Sequence, residues 1–154
     1  MLRSIIFASL VAAGSASVAH AQSCDAEPTF AAQRGAGGLI RAQLGAVSRG
    51  EWAQAIHFGG EVVDSGASPR LKAVALNNVC IAYAESGEYE AAIAACNGSL
   101  ERRAGNWHAL NNRGAAYWLA GNRGAAIADF AAAEEAKSGE EEVAANMALA
   151  SCAS

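Results

Sequence analysis

The sequence has no cluster of basic residues. Its 154 residues hold 11 lysines and arginines against 15 aspartates and glutamates, which gives a net charge of −4. Proteins that bind nucleic acid or anionic lipid group their lysines and arginines on one surface to neutralise phosphates. The composition therefore argues against nucleic acid or a charged membrane surface as the main partner.

The sequence also has little that could carry out catalysis or hold a metal. His57 and His108 lie far apart in the chain, and His20 lies near the N-terminus. No G-x-S-x-G, H-E-x-x-H, phosphate-binding loop or dinucleotide fingerprint occurs, and no C-x-x-C pair is present. We therefore expect no enzymatic activity, no cofactor and no metal site. A small hydrolase or transferase is the alternative, and it would need an acid/base pair built from distant residues.

One apolar run, at residues 5–13, is shorter than the roughly 20 residues that cross a bilayer. It follows Arg3 and precedes Ala19-His20-Ala21, an arrangement typical of a secretory signal peptide cleaved after Ala21. We expect an exported protein, periplasmic or secreted, with no membrane insertion after cleavage. Removal of the signal peptide, which contains Arg3, would change the net charge from −4 to −5.

Alternating apolar and polar runs, the mark of half-buried strands, are missing. Apolar residues instead recur every three or four positions, as at Leu76, Val79, Cys80 and Tyr83. This is the period of an amphipathic helix. The sequence therefore predicts an all-α protein.

Two stretches of the chain repeat each other in constant register, without a gap. NNVCIAYAESGEYEAAIAACNGSL begins at Asn77, and NNRGAAYWLAGNRGAAIADFAAAE begins at Asn111. Each is interpreted as two helices separated by a glycine, Gly87 or Gly121, in the left-handed conformation that ends a helix. A weaker third copy, GEWAQAIHFGGEVV, starts upstream at Gly50.

A helix–turn–helix unit of this length and pattern resembles the tetratricopeptide repeat. The resemblance implies a right-handed α-solenoid of three repeats with a C-terminal capping helix. The implied segments are a signal peptide at 1–21, a lead segment at 22–35, repeats at 36–69, 73–106 and 107–140, and the capping helix at 141–154. The first repeat departs from the pattern, with Gln43 at a small-residue position and Gly59-Gly60 in its second helix. A divergent helical hairpin is the alternative there.

The four cysteines are interpreted as two pairs. Cys80 and Cys96 lie equally far on either side of Glu88, so antiparallel helices that turn near Glu88 bring them face to face. Their spacing fits no zinc site. Because the predicted compartment is oxidising, we expect a disulfide. Cys24 and Cys152 come from the two ends of the chain and can join within one molecule or between two.

Members of the tetratricopeptide family commonly bind an extended peptide or a partner's helix on the concave face lined by the first helices of the repeats. The resemblance places the following residues on that face: Asn77, Asn78, Ile81, Glu85, His108, Asn111, Asn112 and Trp118. Asparagine amides can bond a peptide backbone through both their donor and their acceptor. Local hydrogen bonds that order the repeats are the alternative for the Asn pairs.

Trp118 is the expected aromatic anchor of the groove. Its alternative is packing on the capping helix near Met147. Together these patterns predict an exported bacterial protein–protein interaction module, a scaffold or adaptor for another protein or peptide of the cell envelope. The alternative is a structural subunit of an envelope complex whose groove is filled by the chain's own tail.

Overall fold

The computed structural model describes residues 26–152. The predicted signal peptide and Cys24 lie outside them, so the proposed pairing of Cys24 with Cys152 does too. Seven helices make up the described part: α1 (Gly38–Ser48), α2 (Trp52–Asp64), α3 (Pro69–Glu85), α4 (Tyr89–Arg102), α5 (Trp107–Leu119), α6 (Arg123–Ala136) and α7 (Glu141–Ser151). No strand occurs between residues 26 and 152. The predicted all-α solenoid of helical repeats with a last single helix is confirmed.

The helices form three hairpins, α1–α2, α3–α4 and α5–α6, followed by α7. The first helices of the hairpins contact one another in the order α1, α3, α5, and α7 extends that layer beyond α5. Each hairpin turns at a glycine with positive φ: 70° at Gly50, 79° at Gly87 and 82° at Gly121. Side chains disfavour this region of φ, which explains the glycine at each turn. Within residues 26–152, no helix combines the length and apolar character needed to span a bilayer.

Small residues allow the helices of each hairpin to approach closely. The cluster between α3, α4 and α5 consists mainly of alanines together with Cys80 and Cys96. These two cysteines form a disulfide across the second hairpin, as predicted, with their Cα atoms 5.3 Å apart. In the chain-entropy account, a bridge closing a loop of this size contributes roughly 3 kcal/mol.

The first hairpin accommodates a large polar residue where the others use a small one. Gln43 is fully buried, and its Nε2 donates to the backbone oxygens of Ala55 (3.2 Å) and Ala75 (2.9 Å). Gly59 faces this amide: a Cβ there would lie 2.5 Å from Gln43 Nε2 and would also overlap Val79 Cγ2. The two departures from the repeat pattern therefore compensate each other, since the missing side chain of Gly59 makes room for Gln43.

Substitution of the two adjacent glycines tests this fit. Gly59→Ala is expected to destabilise the protein by about 1–3 kcal/mol, the usual cost of overpacking. Gly60→Ala is the matched control, because nothing lies within 4 Å of an added Cβ there. It is expected to stabilise by about 0.5–1 kcal/mol, the gain in helix propensity. Urea unfolding of both variants provides the measurement, and a gain for both would contradict the proposed fit.

Candidate peptide-binding groove

The described part of the lead segment, residues 26–35, forms neither helix nor strand. It runs across the layer of first helices and is held there by asparagine side chains of α3, α5 and α7. The chain thus binds a stretch of its own extended backbone on the face where the sequence predicts a groove. We call this face, with Asn77, Asn78, Asn111, Asn112 and Asn146, the asparagine groove.

Three alternate residues of the segment, at positions 29, 31 and 33, are each held by one asparagine in the same way. The side-chain oxygen accepts the backbone N–H, and the side-chain NH2 donates to the backbone C=O of the same residue. The pairs, with the N–H and C=O distances in that order, are Thr29 with Asn146 (2.8 and 2.8 Å), Ala31 with Asn112 (2.7 and 2.9 Å), and Gln33 with Asn78 (2.8 and 3.0 Å).

The regular spacing follows from two matching periods. Residues two apart in an extended chain present their backbone groups in the same direction. Asn78, Asn112 and Asn146 are each separated by one repeat length, so they occupy the same position in successive first helices. Each of α3, α5 and α7 therefore holds one dipeptide step of the segment.

In α3 and α5, the asparagine one position earlier makes further hydrogen bonds to the segment. Asn111 Nδ2 donates to the oxygen of Thr29 at 3.0 Å, and Asn77 Nδ2 donates to that of Ala31 at 3.2 Å. Asn112 Nδ2 also donates to Asn77 Oδ1 at 3.0 Å, which links neighbouring helices. These three asparagines are fully buried. The amides therefore hold the chain's own segment and order the repeats at once, and their contact with a partner stays a prediction.

Four side chains of the segment are buried or half-buried against the helices: Pro28, Phe30, Ala31 and Gln33. Ala31 is 1% exposed and lies in a cluster with Trp107, Ala133 and Val143. Phe30 is half-buried and contacts the clusters on both sides of α5. Gln33 is 5% exposed and exchanges two hydrogen bonds with Asn106. The neighbouring Thr29 and Ala32 are exposed.

Glu85 lies at the edge of the groove near the start of the segment. It lines a cleft of about 370 Å³ together with Glu27 and Phe30. Partial burial raises the pKa of Glu85, and the nearby charge of Glu27 raises it further. Burial and the charge of Glu27 therefore both disfavour the ionised form of Glu85 at this end of the groove.

His108 lies in a second cleft, of about 460 Å³, which Arg34 and Arg103 also line. Its ring stacks on Trp107 with the centroids 3.7 Å apart. Burial, and to a smaller extent the charge of Arg103, lowers the pKa of His108 to about 4. Nδ1 of His108 has no hydrogen-bond partner between residues 26 and 152. The imidazole is therefore neutral at physiological pH.

The depressed pKa of His108 predicts a loss of stability on acidification. An unfolded chain titrates near the ordinary pKa of 6.5, whereas the folded protein titrates near 4. As pH falls from about 6.5 to about 4, the unfolded state takes up the proton first and is favoured. We expect Tm to fall from pH 7.5 to 5.0, and to fall less in His108→Gln. His57→Gln, the same substitution at an exposed position, is the matched control. Equal slopes in all three proteins would contradict the assignment.

The remaining predicted groove residues are buried. Ile81 is 3% exposed within α3. Trp118 is 7% exposed and lies in a cluster with Phe130, Leu149 and Ala150. With the lead segment in place, the geometry fits the alternative for Trp118, packing on the last helix, and Phe30 of the segment packs against the same cluster. The contact is made by Leu149 and Ala150, whereas Met147 is 36% exposed.

Two parts of this groove do not appear among the residues predicted from the sequence. Asn146 is one, although it lies one repeat length after Asn112 and the repeat period alone would locate it. The lead segment itself is the other, and no local pattern marks residues 29–33 as bound to helices up to 117 residues away. Within residues 26–152, no three His, Cys, Asp or Glu side chains are placed to hold a metal ion.

The comparison with solved structures shows the fold. The second TPR domain of human RPAP3, solved by NMR in complex with the HSP70 peptide SGPTIEEVD, superposes with a TM-score of 0.63. The sequences are 20% identical, and the match covers 73% of this chain and 92% of that one. No protein-family model and no curated protein matches this sequence. The chain therefore has a tetratricopeptide-like fold.

Proposed function

We propose that this protein is an exported interaction module without catalytic activity, which holds an extended polypeptide in its asparagine groove. The observation that carries the proposal is the repeated pairing of one asparagine with both backbone groups of one residue. Export to the bacterial envelope rests on the signal-peptide pattern of residues 1–21. The RPAP3 domain of similar fold is in complex with a peptide, which supports a protein or peptide partner here.

The chemistry of the groove suits a polypeptide partner. An amide offers one acceptor and two donors, so it can satisfy the N–H and the C=O of a single residue together. Burial excludes water from these bonds, and a backbone group without its partner would then cost free energy. The groove therefore favours an occupant with a regular series of N–H and C=O groups, which an extended chain provides.

A second candidate function is that of a structural subunit with a permanently self-occupied groove. The burial of Ala31 and Gln33 favours it, because the segment already fills its place. A short tether gives a bound segment an effective concentration in the millimolar range. A partner must therefore either displace the segment or bind outside the groove.

Photo-crosslinking in bacterial cells that express the full chain tests the proposal. A photoreactive amino acid at Glu85, an exposed position of α3 at the edge of the groove, is compared with one at Gly66, an exposed loop position outside it. We expect the processed protein in the periplasmic fraction and an adduct with an envelope protein from position 85 alone. Unprocessed cytoplasmic protein would contradict export. Absence of an adduct from position 85 would contradict a partner-binding groove and favour the structural subunit.

A further inference from the structure

We infer that the asparagine groove selects its partner by side chain as well as by backbone. The selected segment is extended and carries an aromatic residue, then a residue no larger than alanine, then any residue, then glutamine. The lead segment shows this order at Phe30, Ala31, Ala32 and Gln33. The partner is accordingly a protein that presents such a segment, and this inference rests on the proposed function.

The size limit is set at Ala31. Its side chain is 1% exposed and is enclosed by Trp107, Ala133 and Val143, of which the last two are fully buried. Protein interiors are close-packed, so added carbon atoms there force neighbouring side chains and backbone to shift. The backbone of residue 31 cannot withdraw without losing its bonds to Asn112. A larger residue at this position therefore loses either its packing or its backbone contacts.

The requirement for an amide is set at Gln33. Its Nε2 donates to Asn106 Oδ1 at 3.3 Å, and its Oε1 accepts from Asn106 Nδ2 at 3.1 Å. Asn106 is fully buried and also donates to Ser99 Oγ. Only an amide both donates and accepts in this planar arrangement. Leucine at position 33 would leave Asn106 with unpaired buried groups, a larger penalty than the loss of an exposed hydrogen bond.

The other two positions contribute unequally. Phe30 lies between the cluster around Cys80 and Cys96 and the cluster around Trp118, so an aromatic ring covers both. Ala32 is exposed, so the groove does not select the side chain at this position. Position 32 is therefore the matched control for position 31, because both residues are alanines and only Ala31 is buried.

The experiment keeps the whole chain and frees its segment. A protease recognition site is inserted between Ala36 and Gly37, in a chain with Cys24→Ser and Cys152→Ser so that no disulfide can tether the segment. The folded protein is cut, and exchange of labelled peptides spanning residues 26–36 is followed by fluorescence anisotropy. The peptides are the native sequence and its Ala32→Leu, Ala31→Leu and Gln33→Leu variants.

We expect the native and Ala32→Leu peptides to bind within about threefold of each other. Each of the Ala31→Leu and Gln33→Leu peptides is expected to bind at least tenfold more weakly, a difference of about 1.4 kcal/mol. Equal binding of all four would overturn the selection and leave the proposed function standing. If the native peptide also fails to exchange while the cut protein stays folded, the proposed function fails as well.

A measurement on the uncut chain covers the case in which cutting unfolds the protein. Hydrogen exchange at the backbone amide of Gln33 is compared between the full-length Ala31→Leu and Ala32→Leu proteins. The Gln33 N–H is bonded to Asn78 Oδ1 at 2.8 Å, so its exchange rate reports whether the segment is seated. We expect at least tenfold faster exchange in Ala31→Leu and an unchanged rate in Ala32→Leu. Equal rates in the two variants would overturn the selection.

Discussion

Asn112→Ala is expected to lower the free energy of unfolding by about 3–5 kcal/mol and to release the lead segment from the groove. Asn112 is fully buried and takes part in four hydrogen bonds: two with the backbone of Ala31, one with Asn77 and one with Asn111. Each buried partner left unpaired costs about 1–3 kcal/mol, and water reaching the gap recovers part of the total. Urea unfolding and hydrogen exchange at the Ala31 amide measure the two effects.

Asn122→Ala is the control for this variant. Asn122 also makes a side-chain bond, accepting from the Ala125 N–H at 3.2 Å, but it does so as an exposed helix cap. Its loss is expected to cost about 1 kcal/mol and to leave exchange at Ala31 unchanged. A cost for Asn112→Ala no larger than that of Asn122→Ala would show that the asparagine groove adds little to stability.

Trp118→Ala is expected to destabilise the protein by about 3–5 kcal/mol through the cavity that it leaves. The indole lies 6.5 Å from the Phe130 ring between centroids, and the Arg123 guanidinium sits 3.7 Å above it. Leu149 and Ala150 of α7 complete the cluster. Because Phe30 also packs against this cluster, weaker seating of the lead segment is expected to accompany the loss of stability.

Met147→Ala is the control, since Met147 is on the same last helix but exposed. Its cost is expected to stay within about 0.5 kcal/mol, as for most surface substitutions. Thermal and urea unfolding of the two variants give the comparison. A Trp118→Ala protein of wild-type stability would contradict the packed position of the indole and return Trp118 to the candidates for partner contact.

The groove holds its segment through amides rather than through an aromatic anchor on the helices. It is predicted from the asparagines at 77, 78, 111 and 112, and the structure places all four against an extended backbone. The same structure places the expected anchor, Trp118, among core residues. In the proposed function, recognition depends on the amides and on the surroundings of positions 31 and 33, and the cluster that contains Trp118 packs against the aromatic residue at position 30.

Much of this architecture is determined by the sequence alone. A three- and four-residue apolar period specifies each helix, glycines specify the turns, and the constant register between the stretches at Asn77 and Asn111 shows that the hairpins are copies. The sequence also predicts that Cys80 and Cys96 face each other, because both lie in one hairpin and equally far from its turn. These features depend on neighbours within a few turns of helix, and their signals are local.

Only the tertiary structure decides what fills the groove. The backbone of Thr29 bonds Asn146, which lies 117 residues away in the chain. The sequence of an extended segment has no periodic pattern that would predict such a contact. The burial of Trp118 likewise depends on where α7 lies over α6, and the fit of Gln43 depends on the missing side chain of Gly59. Contacts between distant segments arise from the shape of the assembled helices, so a pattern of neighbouring residues does not encode them.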